Sequence, residues 1–182
     1  MRAVAAELRV GAMTLYRYVA DREELELLVT DLILSAAYTV PDQRLPWRAR
    51  VAELAESARA AAVAHPAAVP VLLAHRHNAP HSLRWSEAML AALTEAGLAG
   101  QRRAVALRCL VAYITGTLQA QHYGPIDGPG TAALASLPRE DYPLLAETAA
   151  DARSGLTPEA EFRQGLDILL DGLASSVPPG AG

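Results

Sequence analysis

The sequence contains no lysine, and all 16 of its basic residues are arginine. Lysine and arginine codons differ in GC content, so this bias indicates a GC-rich genome rather than a special chemistry. The net charge of −4 at pH 7 argues against a protein whose whole surface binds nucleic acid. Residues 1–22 nevertheless hold four arginines against Glu7 and Asp21, a net +2 that leaves −6 on the rest of the chain. The sequence therefore allows one small basic patch, at its N-terminus.

Cysteine is also nearly absent. Cys109 is the only cysteine, so the 182-residue chain forms no internal disulfide, which fits a reducing cytoplasm. We expect Cys109 to be a small buried apolar side chain rather than a sensor thiol. The sequence shows neither the apolar core of a secretory leader nor an apolar run long enough to span a membrane. These observations predict a soluble, cytoplasmic protein with no membrane partner.

Aromatic residues make up only 5% of the chain, although 52% of it is hydrophobic. Alanine, the best helix former, is abundant, whereas the β-branched and aromatic residues that favour strands are scarce. This composition predicts an all-α fold. The spacing of apolar residues and of helix breakers predicts helices over residues 1–8, 13–19, 21–36, 47–64, 66–75, 81–96, 101–122, 139–153 and 157–176.

The first 22 residues have the layout of a helix-turn-helix, in which a tight turn at Gly11 joins two short helices. We expect Gly11 to supply a positive φ in this turn. The stretch Met1-Arg2-x-Val4-Ala5-x-Glu7-Leu8-x-Val10-Gly11-x-x-Thr14-Leu15-Tyr16-x-Tyr18-Val19, followed by Asp21-Arg22-Glu23-Glu24-Leu25, resembles the DNA-binding signature of the TetR family of transcriptional regulators. The region from Trp47 to Gln121 is similar in layout to the ligand-binding domain of the tetracycline-repressor branch, with less specific motifs.

The resemblance implies three parts of the chain. Residues 1–40 form the helix-turn-helix with a connecting helix, 41–177 form a helical ligand-binding and dimerisation domain, and 178–182 are a disordered tail. The family's usual first helix, which packs against the helix-turn-helix, has no counterpart before Met1. Val4, Leu8, Leu15 and Leu25 then lose one wall of their core, so we expect a mobile N-terminal region and a natural gene product that is longer.

The resemblance also implies the DNA-binding residues. The segment from Ala12 to Arg17 faces the major groove, with Met13 and Arg17 as candidates for base contacts, because arginine pairs with guanine and methionine meets a thymine methyl. Positions that contact the phosphate backbone or approach the DNA in the family correspond here to Arg2, Thr14, Tyr16, Tyr18 and Arg22.

A repressor of this kind binds DNA as a dimer, because two recognition helices must meet two half-sites. Leu107, Val111, Ile114 and Leu118 follow the alternating spacing of a helix pair. Glycines inside the two longest C-terminal helices favour close approach of another helix, although a contact within one chain would require the same residues. The predicted dimer interface comprises Val111, Ile114, Gly116, Leu118, Gly165, Leu169 and Gly172.

The helices at 47–64, 66–75 and 81–96 are expected to enclose a ligand pocket against helix 101–122. The predicted lining residues are His75, Trp85, Met89, Cys109, Tyr113 and Gln119, and for Trp85 and Met89 an ordinary core position is an open alternative. The histidines at 75, 77 and 81 lack the spacing of a metal site and any nearby acid. We expect this histidine-rich turn to lie at the pocket mouth or in solvent.

The motifs of common enzyme classes are absent, including the nucleophile elbow, the phosphate-binding loop and the zinc-protease motif. The sequence therefore predicts a non-enzymatic repressor without cofactor or metal. Its partners are double-stranded operator DNA, an apolar or amphipathic inducer and a second copy of the chain. A helical ligand-binding dimer that has lost DNA binding remains the alternative, favoured by the incomplete N-terminal domain.

Overall fold

A computed structural model describes residues 1–176 and contains ten α-helices over that range, with no strand. The prediction of an all-α fold is confirmed. The predicted tail at 178–182 lies outside the described residues. The helices are α1 (Arg2–Glu7), α2 (Ala12–Leu15), α3 (Arg22–Ala37), α4 (Trp47–Ala64), α5 (Val69–His75), α6 (Pro80–Glu95), α7 (Gly100–Tyr123), α8 (Pro129–Ala135), α9 (Pro143–Arg153) and α10 (Pro158–Ser175), with a 3₁₀ turn at Pro66–Ala68.

The hydrophobic core lies where α4, α6, α7 and α10 meet. Its largest fully buried apolar side chains are Phe162, Leu54, Met89, Leu93, Leu110, Leu170 and Val51. Burial of each such side chain stabilises the fold by about 1.5–3 kcal/mol. The core therefore belongs to the C-terminal three-quarters of the chain, and the short helices α1 and α2 lie outside it.

Helix α3 connects the N-terminal helices to this core. Its start is fixed by Asp21, whose side chain accepts a hydrogen bond from the backbone N–H of Glu24 at 2.8 Å. The carboxylate of Glu24 accepts from the backbone N–H of Ala20, one residue before the cap. The same helix packs against α4, α5 and α6. A displacement of α3 at one end is thus transmitted along a single rigid element.

The turn between α1 and α2 differs from the expectation. Gly11 has an extended backbone with φ −69° and ψ 143°, and the positive φ falls on Arg9 at 56°. Arg9 adopts this conformation because α1 ends there, and its backbone N–H returns to the carbonyl of Ala6. The residue with the left-handed backbone is therefore Arg9, two positions before the glycine that was expected to supply the positive φ.

The second difference is α8. The sequence predicts no helix between residues 122 and 139, yet a helix spans Pro129–Ala135, beginning in the Gly/Pro-rich part of this stretch. Gly128 and Pro129 occupy the N-cap and first helical positions, where these residue types are favoured, and alanines follow. The prolines and glycines here thus signal a helix start as well as a loop.

Among residues 1–176 no single helix is long and apolar enough to cross a membrane. Only Trp47–Ala64 and Pro66–His75 taken together have the necessary length and composition, and they are bent by 101° where they meet.

Candidate DNA-binding surface and ligand cavity

The predicted DNA-contacting side chains lie on the outside of the N-terminal helices. Met13 is 78% exposed and Tyr18 is 80% exposed, and Arg2, Thr14, Tyr16, Arg17 and Arg22 are also exposed. Ala12 is half-buried. Val19 is buried, and Leu15 is half-buried, so the apolar residues between the exposed ones face inward. The segment presents an arginine, a methionine and two tyrosines on one short stretch of surface.

The apolar residues expected to lose a wall of their core are partly uncovered. Val4 is 39% exposed and Leu8 is 59% exposed, whereas Leu15 and Leu25 are half-buried. Each uncovered aliphatic side chain forgoes part of the roughly 1.5–3 kcal/mol that full burial supplies. The N-terminal helices therefore bury less of their apolar surface than the core helices do.

A cavity of about 650 Å³ lies between α3, α4, α5, α6 and α7. Its volume is in the range that suits a drug-sized molecule. Most of its wall is apolar, and Leu34 and Tyr38, at the end of α3 and just after it, belong to that wall. The polar lining side chains are Tyr38, Ser57, Arg76, His77, His81, Ser82, Ser86, Arg108 and Thr115.

The turn from 75 to 81 is held against α3 by two histidine–carboxylate pairs. The Nε2 atom of His75 lies 3.1 Å from Glu26 Oε2, and Nδ1 of His81 lies 2.9 Å from Asp31 Oδ2. The backbone N–H of His81 also donates to Asp31 Oδ1 at 2.7 Å. His81 lies in the first turn of α6, and its N-cap, Ala79, has no side-chain acceptor, so Asp31 caps α6 from another helix.

These contacts alter the acidity of both carboxyl groups. Hydrogen bonds from Arg22 and then His75 lower the pKa of Glu26. Burial by itself raises the pKa of Asp31, but the hydrogen bonds and charge of His81 outweigh it, so the pKa of Asp31 is held below its usual value. Sequence reasoning missed these pairs, because their members are 49 and 50 residues apart. The histidine-rich turn thus has acidic neighbours, supplied by α3.

The structure places the predicted pocket residues in several environments. Trp85 lines the cavity, whereas His75 faces Glu26 next to it. Met89 is fully buried in the core. Tyr113 packs against α10 and donates a hydrogen bond to the carbonyl of Phe162 at 2.7 Å. Gln119 is exposed and is not among the lining residues.

Cys109 is exposed, not buried as expected, and does not line the cavity. The reason is that α7 turns Ala106 and Leu110 toward the core, so that Cys109 lies on the outer side of the helix.

The predicted interface residues also lie in several different environments. Val111, Ile114 and Leu118 face the cavity of their own chain. Leu169 packs against the core, and Gly165 makes room for Tyr113, since a Cβ there would lie 2.5 Å from the tyrosine hydroxyl oxygen. Gly116 and Gly172 face open space, with no atom within 4 Å of where a Cβ would stand.

An exposed stripe of mostly small residues runs along α7 beside the predicted seam. We call it the small-residue face of α7; it consists of Val105, Cys109, Ala112 and Gly116, spaced at i, i+4, i+7 and i+11. Val105 is 59% exposed. Residues at this spacing share one side of a helix. The stripe with the larger side chains faces inward, whereas the smaller side chains are exposed, and Ala112 among them also lines the cavity.

Comparisons with known proteins agree with this architecture. Residues 40–177 match the family model of the tetracyclin repressor-like C-terminal domain. The chain is 29% identical over 178 residues to the tetracycline repressor protein class A from transposon 1721 of Escherichia coli, which covers 95% of this chain and 80% of that protein.

Two Streptomyces proteins are also similar. The HTH-type transcriptional repressor DrrR1 of Streptomyces coeruleorubidus is 28% identical over 185 residues, covering 95% of this chain and 68% of that protein. The crystal structure of the TetR family protein ActR of Streptomyces coelicolor in complex with actinorhodin superposes with a TM-score of 0.78. It is 27% identical and covers 97% of this chain and 87% of that one.

Proposed function

Because this chain belongs to the TetR family of transcriptional regulators, we propose that it is a repressor that binds a palindromic operator as a homodimer and is released by a small-molecule inducer. The observation that carries the proposal is the position of α3. The helix begins at Arg22, directly after the exposed segment, and its Leu34 lines the cavity. At 1.5 Å per residue, these two positions are separated by roughly 18 Å along one rigid helix.

The exposed segment supplies the DNA contacts in this proposal. Arg17 donates to a guanine and Met13 meets a thymine methyl in the major groove, and these two contacts carry sequence preference. Arg2, Ala12, Thr14, Tyr16, Tyr18 and Arg22 complete the surface and set the position of the protein on the phosphate backbone. The local charge of this region favours DNA even though the chain as a whole is acidic.

The homodimer supplies the two-fold symmetry that a palindromic operator requires, with half-sites about 34–36 Å apart. The small-residue face of α7 supports the proposed interface, because small side chains allow two helices to approach closely. Gly172 of α10 lies in open space in the single chain, as Gly116 does. We propose that α7 and α10 of two copies form a four-helix bundle.

The cavity supplies the inducer site. Its mainly apolar wall with a few polar groups suits an apolar or amphipathic molecule. His75 and His81 connect the rim of this cavity to Glu26 and Asp31 of α3. An inducer that repositions the 75–81 turn would pull on α3 through both pairs and so change the spacing of the two DNA-reading segments.

The experiment that tests the repressor is selection of bound DNA from a random duplex library, followed by anisotropy titration of the selected site. We expect a palindromic site with two half-sites about one helical turn apart. Arg17→Ala should cost about 1–3 kcal/mol at one base pair of each half-site and relax the preference there. Tyr16→Phe should weaken all sequences similarly, and Arg139→Ala, an exposed arginine between α8 and α9, serves as the control.

If the selection enriches no DNA sequence although the protein is folded, DNA binding is refuted. A helical ligand-binding dimer then remains as the function. Unchanged affinity and preference in both Arg17→Ala and Tyr16→Phe would refute the assignment of the groove-facing segment.

A further inference from the structure

The wall of the cavity is cationic. Arg76 and Arg108 both belong to it, and none of the lining side chains in the described part of the chain is an aspartate or a glutamate. His81 also belongs to the wall, but its carboxylate partner, Asp31, belongs to α3 and is not a lining residue. A ligand in this cavity therefore meets positive charge without a compensating carboxylate.

Arg76 is the more enclosed of the two arginines. It is half-buried at the end of α5, whereas Arg108 is exposed. One guanidinium nitrogen of Arg76 donates to the carbonyl of Leu73, but its Nε is buried without a hydrogen-bond partner. Within residues 1–176 no carboxylate lies in ion-pair distance of Arg76, whereas the half-buried Arg59 of α4 pairs with Glu56. Arg76 thus keeps a donor that no group within residues 1–176 satisfies.

Four of the other lining side chains have already used their polar hydrogens. The indole N–H of Trp85 donates to the carbonyl of Leu54 at 2.7 Å, so its ring offers the cavity an apolar surface. Three lining hydroxyls donate to carbonyls of their own helices: Ser57 to Leu54, Ser86 to Ser82 and Thr115 to Val111. Among the described lining residues, the buried donor that has no hydrogen-bond partner is the Nε of Arg76.

We infer that the inducer is an amphipathic anion, with a flat apolar body against the Trp85 side of the cavity and a carboxylate or chemically similar acidic group at Arg76. A guanidinium binds such groups through two parallel hydrogen bonds, which give both strength and orientation. The inference rests on the proposed function only in naming the ligand an inducer.

The position of Arg76 connects this charge to the rest of the molecule. It follows His75, which faces Glu26 of α3, and it precedes His77, another lining residue. An anion at Arg76 would therefore bind within the turn that holds α3, and ligand binding and the position of α3 would be coupled through adjacent residues.

The test uses two fluorescent probes that share one aromatic body. 8-Anilinonaphthalene-1-sulfonate carries an acidic group, and N-phenyl-1-naphthylamine lacks it. Both are titrated into the purified full chain without DNA. We expect the sulfonate to bind more tightly by about tenfold or more, the equivalent of a hydrogen bond to a charged group. Arg76→Gln should remove this preference by weakening the sulfonate alone, and Arg102→Gln, an exposed arginine of α7, should leave it intact.

Arg76→Lys keeps the charge and guards against a variant that simply fails to fold. The inference requires that the Arg76→Lys protein retain a larger preference for the sulfonate probe than the Arg76→Gln protein does. Equal binding of both probes by the unaltered protein, equal behaviour of the two variants, or equal weakening of both probes by Arg76→Gln would overturn the inference. Because no DNA is present, a protein that prefers the anion but selects no operator would keep this inference and refute the repressor.

Discussion

Thr30 is a polar residue in a fully buried position of α3. Its side chain is 0% exposed, and its hydroxyl oxygen has no hydrogen-bond partner. A buried polar group without a partner loses its hydration and gains nothing in return, which costs about 1–3 kcal/mol. The hydroxyl of Thr30 is therefore a source of instability at the centre of α3.

Thr30→Val is therefore expected to raise the free energy of unfolding by about 1 kcal/mol, since it replaces the hydroxyl with a methyl of similar size. Urea unfolding followed by circular dichroism measures the change. The matched control is Thr117→Val in α7, where the hydroxyl donates to the carbonyl of Tyr113 at 2.8 Å, so no stabilisation is expected. A less stable Thr30→Val protein would show that the hydroxyl has a partner in solution.

Gly165 illustrates a glycine whose role is set by one neighbour. A Cβ there would lie 2.5 Å from the hydroxyl oxygen and 3.0 Å from two ring carbons of Tyr113. The tyrosine cannot easily move. Its hydroxyl donates a hydrogen bond to the backbone carbonyl of Phe162, and its ring packs on the ring of that residue with centroids 5.6 Å apart.

Gly165→Ala is expected to lower the free energy of unfolding. Overpacking of this kind costs about 1–3 kcal/mol and outweighs the roughly 1 kcal/mol that alanine contributes to a helix. Thermal or urea unfolding checks the sign. Gly172→Ala is the control on the same helix, where open space leaves only the favourable helix propensity within a single chain. A more stable Gly165→Ala protein would contradict the close packing of α7 and α10.

At the scale of elements, α3 and α6 depend on each other. Asp31 of α3 both caps α6 and pairs with the ring of His81, so the start of α6 is fixed by a residue outside it. The pKa of Asp31 is lowered in the folded state. A carboxyl with a lowered pKa stabilises the fold above its unfolded pKa, and this contribution is lost as the pH falls through the folded pKa.

The free energy of unfolding should therefore fall as the pH drops from about 5 to below the ordinary aspartate pKa of 3.8. Asp31→Asn keeps an oxygen that can cap α6 but removes the titrating charge, so its pH profile should be flatter and its stability at neutral pH lower by about 1 kcal/mol. Urea unfolding between pH 3 and 7 measures both. As a control, Glu23→Gln, at an exposed position of the same helix, should keep the pH profile of the unaltered protein. If Asp31→Asn also keeps that profile, the Asp31–His81 pair is not the source of the pH dependence.

For the whole molecule, the main consequence of the fold is which side of α7 remains free. The larger side chains Val111, Ile114 and Leu118 line the chain's own cavity, which leaves the small-residue face of α7 at the surface, with its Ala112 also lining the cavity. A homodimer formed through this face would place two DNA-reading segments on one assembly. The same helix would then contact the inducer and the second copy through adjacent sides that meet at Ala112.

Gly116→Glu is accordingly expected to convert a dimer to a monomer of 19.3 kDa, because it places a charge and a long side chain within the proposed interface. Light scattering coupled to gel filtration measures the mass. Ala104→Glu, at an exposed position on α7 outside the stripe, should leave the dimer intact. A monomeric unaltered protein, or a dimer that survives Gly116→Glu, would refute this interface.

Local patterns in the sequence were sufficient for most of the helices. The start of α10 at Thr157 and Pro158 and the cap of α3 at Asp21 followed from short-range hydrogen-bonding rules, and both are present in the structure. The start of α8 was missed, although Gly128 and Pro129 carry the same kind of signal, because these residue types also mark loops. Such features depend on neighbours within one helical turn, so the sequence alone can specify them.

The sequence by itself determined the helical composition, the apolar stripes of the helices and the family signature near the N-terminus, because each depends on residues close together in the chain. Only the tertiary structure decided which stripe of α7 faces inward, that Gly165 accommodates Tyr113, and that Arg76 lines the cavity without a carboxylate. It alone brought Glu26 to His75 and Asp31 to His81. These outcomes depend on how helices far apart in the chain pack against one another. The spacing of apolar residues along one helix does not show which other helices it will contact.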